Sequence, residues 1–176
     1  MKLLFTLLVP VLISVSSFAQ SKVNWMSWNE AVTASTESPK MIFVDTYTDW
    51  CGWCKKMDAS TFSDPVISKY MNENYYSVKM DAEMKDTIDF NGYQFVNPNP
   101  NGRRSTHQLA ASLLDNKLSY PSFVILTPKF ERMQILPGYK SAKDFEPIIR
   151  YFVEGASQGV EFTEYMKGFS SLYTQN

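Results

Sequence analysis

The stretch Asp49-Trp50-Cys51-Gly52-Trp53-Cys54-Lys55-Lys56-Met57 holds both cysteines of the chain, with two residues between them. Such a pair can hold a metal, cross-link a loop, or exchange electrons with another disulfide. A bridge between Cys51 and Cys54 closes a very short loop, and loop-closure stabilisation grows with loop length, so it would add little to folding. Tetrahedral zinc needs four protein ligands, or three and a water, and the chain has a single histidine, His107, to add to the cysteines. His107 reads instead as a solvated or helix-capping residue. A Cys-His hydrolase would need His107 to meet a cysteine, whereas the motif pairs the cysteines with each other. Redox exchange is left as the use that fits, with no metal and no bound cofactor required, because the sulfurs carry the electrons.

Upstream, Met41–Tyr47 (MIFVDTY) is short, apolar and β-branched, which suits a buried strand. Downstream, residues 55–71 read as a helix with polar residues interspersed. The motif therefore lies between a strand end and a helix start, where unpaired backbone N–H groups and the helix dipole favour negative charge. Cys51 stands at that point, so its thiol should ionise below the free value of about 8.5. Cys54 lies one turn further in and should be more buried. The first sulfur is then the exposed nucleophile for a partner's disulfide, and the second is the resolving thiol that releases the mixed disulfide.

Further out, Ser27 followed by Glu30 is a capping-box signal for a first helix within residues 23–32. Residues 75–81 are a second strand candidate. From Glu83 to Arg104 the pattern dissolves into Asn, Gly and Pro, an inserted loop with one short extended piece at residues 93–96. Ser105 or Thr106 can cap a helix running to about Leu114. Ser119-Tyr120-Pro121 leads into an apolar strand at residues 123–126, with residues 131–136 as its hairpin partner. Residues 141–153 should be helical, with Phe145, Ile148, Ile149 and Phe152 on one face, although Pro147 removes a backbone donor there unless the helix starts late. Phe162, Tyr165, Met166, Phe169 and Tyr173 recur at helical spacing over residues 161–173, as in a helix docked on the domain's own core or, alternatively, one that presents a surface to a partner. This order predicts an α/β fold, a mixed sheet with helices on both faces.

The 176 residues suffice for one domain with a sizeable core. A net charge of −1 gives no basic excess of the kind that nucleic acid or an anionic membrane would attract. Met1-Lys2, the apolar run from Leu3 to Val15 and then Ser17-Phe18-Ala19 read as a signal peptide cut between Ala19 and Gln20. The run is short for a membrane span and is interrupted by Pro10. The expected organisation is a signal peptide over residues 1–19, a domain over 20–155 and a helical extension over 156–176 packed on that domain. The mature chain is expected outside the cytoplasm, in the periplasm, without membrane insertion.

The WCGWCKKM run at residues 50–57, the strand before it and Tyr120-Pro121 together resemble the thioredoxin superfamily, closest to its exported thioredoxin-like domains. The resemblance covers residues 23–153. It implies a thioredoxin-like fold with an insertion before a cis-proline and an extra C-terminal helix. It makes Tyr120-Pro121 the cis-proline site, with Pro121 beside the sulfurs accepting the substrate backbone. Tyr120, Trp50, Gly52 and Trp53 would complete the substrate-binding surround, Trp50 packing beside the site and Trp53 touching partners. It matches Asp45 to a buried acid that exchanges a proton with the resolving cysteine, so that Cys51, Cys54 and Asp45 form the catalytic set. A carboxylate in an apolar strand should have a raised pKa, which suits that task. Lys79 is a candidate partner for Asp45, although a strand lysine is ordinarily solvated.

The implied activity is thiol–disulfide exchange on protein substrates, as a reductase kept reduced by a membrane-bound electron donor. Gly52-Trp53 stands where thioredoxin has Gly-Pro, and this dipeptide bears on the direction of electron flow. Arg103-Arg104 could steer acidic partners or be a solvated basic pair. The competing reading is a non-catalytic binding or chaperone module on the same scaffold, with a CxxC that only senses redox state.

Overall fold

The apolar run Met41–Tyr47 forms the central strand of a five-stranded sheet, buried along almost its whole length. The computed structural model of the protein describes residues 22–174, so the expected signal peptide and its cut lie outside the described residues. In chain order the elements begin with β1 (Trp25–Met26), α1 (Trp28–Glu37), β2 (Met41–Tyr47), α2 (Gly52–Ala59), α3 (Pro65–Asn74) and β3 (Tyr75–Asp81). There follow β4 (Ile88–Phe90), β5 (Tyr93–Phe95), α4 (Gln108–Leu113), β6 (Ser122–Leu126), β7 (Arg132–Pro137), α5 (Ala142–Glu154) and α6 (Phe162–Gly168). The main sheet has the order β1-β3-β2-β6-β7, and β4 pairs only with β5. β3 runs parallel to β1 and β2, whereas β6 is antiparallel to β2 and β7, giving the mixed sheet expected from the sequence.

Alternation along β2 separates two cores. Ile42 and Val44 join Trp28, Val78, Leu109, Leu113 and Val124 on the face covered by α1 and α4. Phe43 joins Met57, Ile67, Phe123, Phe145 and Ile149 on the face covered by α2, α3 and α5. There Phe43 stacks on Phe123 at 5.5 Å, and Phe62 and Phe145 meet both rings edge-on. Asp45 shares the side of Phe43, and so lies beneath the cysteine helix.

Several elements depart from the sequence reading. The capping box is present, with Glu30 N donating to Ser27 Oγ at 3.3 Å and Ser27 N to Glu30 Oε2 at 2.7 Å. The two residues before it, however, pair with β3 as a short strand. The single helix expected over residues 55–71 is two helices. Asp64 Oδ1 accepts from Val66 N and Ile67 N, and Pro65 opens α3, so a new N-terminus interrupts the apolar pattern. The cap of α4 is neither Ser105 nor Thr106 but His107, whose Nδ1 accepts from Leu109 N at 3.2 Å. It is not solvated: the ring is fully buried, and Nε2 donates to Asp86 O at 3.0 Å. α5 runs through Pro147 without starting late. The last predicted helix stops at Gly168, and a separate 3-10 turn covers Leu172–Thr174.

The insertion is more ordered than its composition suggests. β4 and β5 form a hairpin around Asn91 and Gly92, both at positive φ (51° and 78°), which is the two-residue turn that Asn-Gly favours. Beyond it Asn97 is buried and ties the two ends of the insertion together. Its Nδ2 donates to Glu83 O, Met84 O and Ser105 O, while Oδ1 accepts from Asn99 N and Ser105 Oγ. At the C-terminal side, Tyr151 of α5 meets Phe162 and Tyr165 of α6 at 5.0 and 5.6 Å. The buried Glu146 carboxylate accepts from Leu172 N and Ser171 Oγ, both at 2.6 Å.

Candidate active site

β2 delivers the chain into the turn Thr48-Asp49-Trp50, where Cys51 N donates to Thr48 O at 3.0 Å and α2 begins. Cys51 is the N-cap of that helix, and its Sγ accepts from Cys54 N at 3.1 Å. The two sulfurs form a disulfide with an S–S distance of 2.07 Å. Cys51 keeps 5% of its surface exposed and Cys54 2%, so both are buried and the contrast in exposure is smaller than expected. What distinguishes them is polarity of position. A negative charge on Cys51 Sγ faces the Cys54 N–H and the positive end of the helix dipole, whereas Cys54 lies within the helix and, with Met57, is one of its buried residues.

Register brings Pro121 to the same place. β2 and β6 are antiparallel with Thr46 opposite Ser122, so the residue before β6 lies beside the residues that follow β2. Thr46 Oγ1 donates to Ser122 O at 2.5 Å and fastens this junction. The Tyr120-Pro121 peptide bond is cis, and Pro121 O accepts from Gly138 N at 2.8 Å. Gly138 sits at φ 84°, a conformation that glycine adopts without a Cβ clash.

Two aromatic pairs bracket this centre. Trp50 meets the Tyr120 ring edge-on at 5.9 Å, and Trp53 lies 5.3 Å from Tyr139, the residue after Gly138. Lys56 Nζ sits over both Trp53 and Tyr139, at 4.8 and 5.1 Å. Trp50 and Trp53 are both about half exposed, so Trp53 is not alone in facing solvent. Gly52 is also at the surface, and a Cβ there would meet nothing within 4 Å.

Beneath the helix, Lys79 of β3 stands opposite Asp45 in the parallel register and donates to its Oδ2 at 2.6 Å. Lys79 also pairs with Asp58 of α2, and its Nζ lies 4.8 Å over the Trp25 ring and 4.9 Å over Tyr47. Lys79 is therefore not a solvated strand lysine. Asp45 is 1% exposed, and its Oδ1 has no hydrogen-bond partner among the described residues. Desolvation pushes its pKa up to about 6, and the nearby Lys79 ammonium holds it from rising further.

The sequence reading gave no role to two contributors, Asp58 and Glu83, and took Arg104 only as half of a basic pair that could steer acidic partners or be solvated. Asp58 stands four residues after Cys54 and so on the same helical face, a signal that helical spacing could have supplied. Glu83 and Arg104, at the two ends of the insertion, converge on Trp50. Glu83 Oε1 accepts from Trp50 Nε1 at 3.0 Å, and the Arg104 guanidinium lies 5.0 Å over the Trp50 ring. No local pattern announces that convergence. Among the described residues no group of three or more His, Cys, Asp or Glu side chains could hold a metal ion. Nor is any helix there long and apolar enough to cross a membrane.

The architecture superposes on that of a thioredoxin from Thermus thermophilus with a TM-score of 0.57 at 20% identity, covering 78% of this chain and 93% of that one. The fold is thioredoxin-like. Rat (Rattus norvegicus) spermatogenesis-associated protein 20 is 31% identical over 85 residues, 48% of this chain and 11% of that protein. The thiol:disulfide interchange protein DsbD of Pectobacterium atrosepticum is 38% identical over 40 residues, 23% of this chain and 7% of that protein. The chain thus spans about a tenth of the length of these curated relatives. With residues 14–134 matched by the family model, the chain belongs to the family described as Thioredox_DsbH, protein of unknown function, DUF255.

Proposed function

We propose that the protein is an exported thiol–disulfide oxidoreductase that reduces disulfides of other proteins. The observation that carries this reading is the Cys51 sulfur at the N-terminus of α2, within hydrogen-bond reach of Cys54 N and bonded to Cys54. In the reduced protein the Cys51 thiolate attacks one sulfur of a substrate disulfide, and the other substrate sulfur leaves as a thiolate. Cys54 then loses its proton to Asp45 and attacks Cys51 Sγ. The substrate's second thiol departs, and the Cys51–Cys54 disulfide re-forms with two electrons transferred. Pro121, with Tyr120, Trp50, Gly52 and Trp53 around it, would receive the substrate chain.

The printed name of the DsbD relative, a thiol:disulfide interchange protein, supports the same chemistry. We place the protein in the periplasm, after a cut between Ala19 and Gln20, with a membrane-bound donor returning electrons to the cysteine pair. An oxidising compartment makes such a donor necessary for a reductase. The working unit is taken as residues 20–155, and residues 156–176 as an extension seated on α5.

Insulin reduction by dithiothreitol tests the activity. The wild type should accelerate it, and Cys51→Ser should fall to the uncatalysed rate; equal rates for the two would refute an enzymatic role and leave a binding module. The reduction potential of the pair then decides direction. A value near that of thioredoxins, about −270 mV, supports a reductase, whereas one near about −120 mV marks an oxidant.

A further inference from the structure

Trp50 is exposed yet held on three sides: Glu83 accepts from its Nε1, Tyr120 meets its edge, and Arg104 covers its face. Two of those three come from the ends of the insertion, and one side chain fixes both ends. Asn97 donates to Glu83 O at 3.3 Å and Met84 O at 3.1 Å on the entering segment, and to Ser105 O at 2.9 Å on the leaving one. Ser105 Oγ donates back to Asn97 Oδ1 at 2.5 Å, so the residue next to Arg104 is gripped twice.

Arg104 itself has φ 59°, in the left-handed region that L-residues other than Asn and Asp seldom occupy. A glycine there would relieve the backbone at no local cost. An arginine held in that conformation, with its guanidinium laid across a tryptophan that precedes the nucleophilic cysteine, suggests that its side chain is used. No carboxylate pairs with it among the described residues, and its guanidinium, 5.0 Å over the ring, keeps N–H donors that a partner's oxygens can take up.

The geometry points to Arg104 as a specificity-determining residue, whose guanidinium accepts an extended, disulfide-bearing segment of a partner protein by donating to that segment's carbonyl or carboxylate oxygens. Asn97 acts through it as a positioning residue. The proposal rests on the oxidoreductase reading above and assigns the insertion a role in it: the insertion forms one wall of the rim on the Trp50 side, opposite the Lys56-Trp53-Tyr139 group. A small disulfide that reaches only the sulfurs would not touch this wall, whereas a protein segment passing Tyr120-Pro121 would.

The test compares two substrates, insulin and the small neutral hydroxyethyl disulfide, with Arg104→Gly, Arg104→Lys and Asn97→Ala. Arg104→Gly should fold at least as stably as the wild type, because positive φ suits glycine. Its KM for insulin should rise about three- to tenfold, the loss expected for a charge-assisted contact at a partly solvated rim. Its rate with hydroxyethyl disulfide should stay unchanged. Arg104→Lys should recover part of the insulin KM, since it keeps the charge without the planar fork, and Asn97→Ala should shift the insulin KM in the same direction as Arg104→Gly. An insulin KM unmoved by Arg104→Gly, or an equal change for both substrates, would overturn the assignment of Arg104 while leaving the activity standing. A wild type that reduces neither substrate would overturn the oxidoreductase reading and this proposal with it.

Discussion

Lys79 Nζ lies 2.6 Å from Asp45 Oδ2, beneath the helix that carries the cysteines, and the carboxylate it holds is raised to a pKa of about 6. Raised above its unfolded value of about 3.8, Asp45 binds its proton more tightly in the folded than in the unfolded chain. Its contribution is therefore most favourable below about pH 4 and is lost as pH rises through about 6. Asp45→Asn removes the group that must ionise in the core. In the oxidised protein, the stability of Asp45→Asn relative to the wild type should increase between about pH 4 and pH 6 and then level off. The gain should be on the order of 3 kcal/mol, measured by urea unfolding at a series of pH values. The same variant should slow release of the mixed disulfide about 10- to 100-fold at neutral pH, seen in single-turnover experiments. A parallel pair of stability curves would show that Asp45 titrates normally.

Removing the cation tests the other half of the pair. Lys79 favours the ionised form of Asp45, so Lys79→Met should move the Asp45 pKa above its wild-type value. Carboxyl carbon chemical shifts followed against pH would report it. No upward movement would mean that the ammonium is not what restrains this titration.

His107 gives a pH dependence of opposite sign. Burial holds its pKa below the ordinary value of 6.5, and its Nδ1 must stay unprotonated to cap α4. As pH falls below about 6.5 the unfolded chain takes up a proton that the folded one does not, so stability declines. His107→Asn retains a capping oxygen but not this titration. The advantage of the wild type over His107→Asn should shrink as pH falls below about 6.5, followed by urea unfolding at a series of pH values. A constant difference across that range would show that His107 is not kept neutral by the fold.

Glu146 predicts the behaviour of the C-terminal segment. The carboxylate is buried and accepts from Leu172 N, Ser171 Oγ and Arg150 Nη1. Glu146→Ala should free this segment, costing roughly 1–3 kcal/mol, and limited proteolysis should then cut near residues 169–173 well before the rest of the chain. Equal cutting in the two proteins would argue that the clasp contributes little.

Much of this could be read from the residues alone. β2 announced itself as a short apolar run carrying the β-branched Ile42, Val44 and Thr46, β3 as a short segment opening on Tyr75 and Tyr76 with Val78 and Met80 inside it, and Ser27 with Glu30 marked a helix start by chemistry that acts within one turn. Tyr120-Pro121 was legible as the residue pair before an apolar strand. The split between α2 and α3 was not, because Asp64-Pro65 breaks a run whose apolar spacing looks continuous. β1 escaped for another reason: Trp25 and Met26 become a strand only by pairing with Ser77 and Val78, a partner about fifty residues away. Lys79 came forward as a partner of Asp45 only through the resemblance, because their pairing depends on strand register, and the convergence of Glu83 and Arg104 on Trp50 depends on how Asn97 closes a loop. Neither relation leaves a periodic trace in the sequence.

The β4–β5 hairpin stands apart from this arrangement. Ile88 and Phe90 root it in the core beside Trp28, while Asn91-Gly92 and the exposed Tyr93 project away, and its strands pair only with each other. With both ends of the insertion tied behind it by Asn97, length added at the Asn91-Gly92 tip has no path by which to disturb Trp50 or the sulfurs. The tip is thus a natural attachment point for a label or an immobilising tag, whereas one joined after Tyr173 would pull directly on the Glu146 clasp.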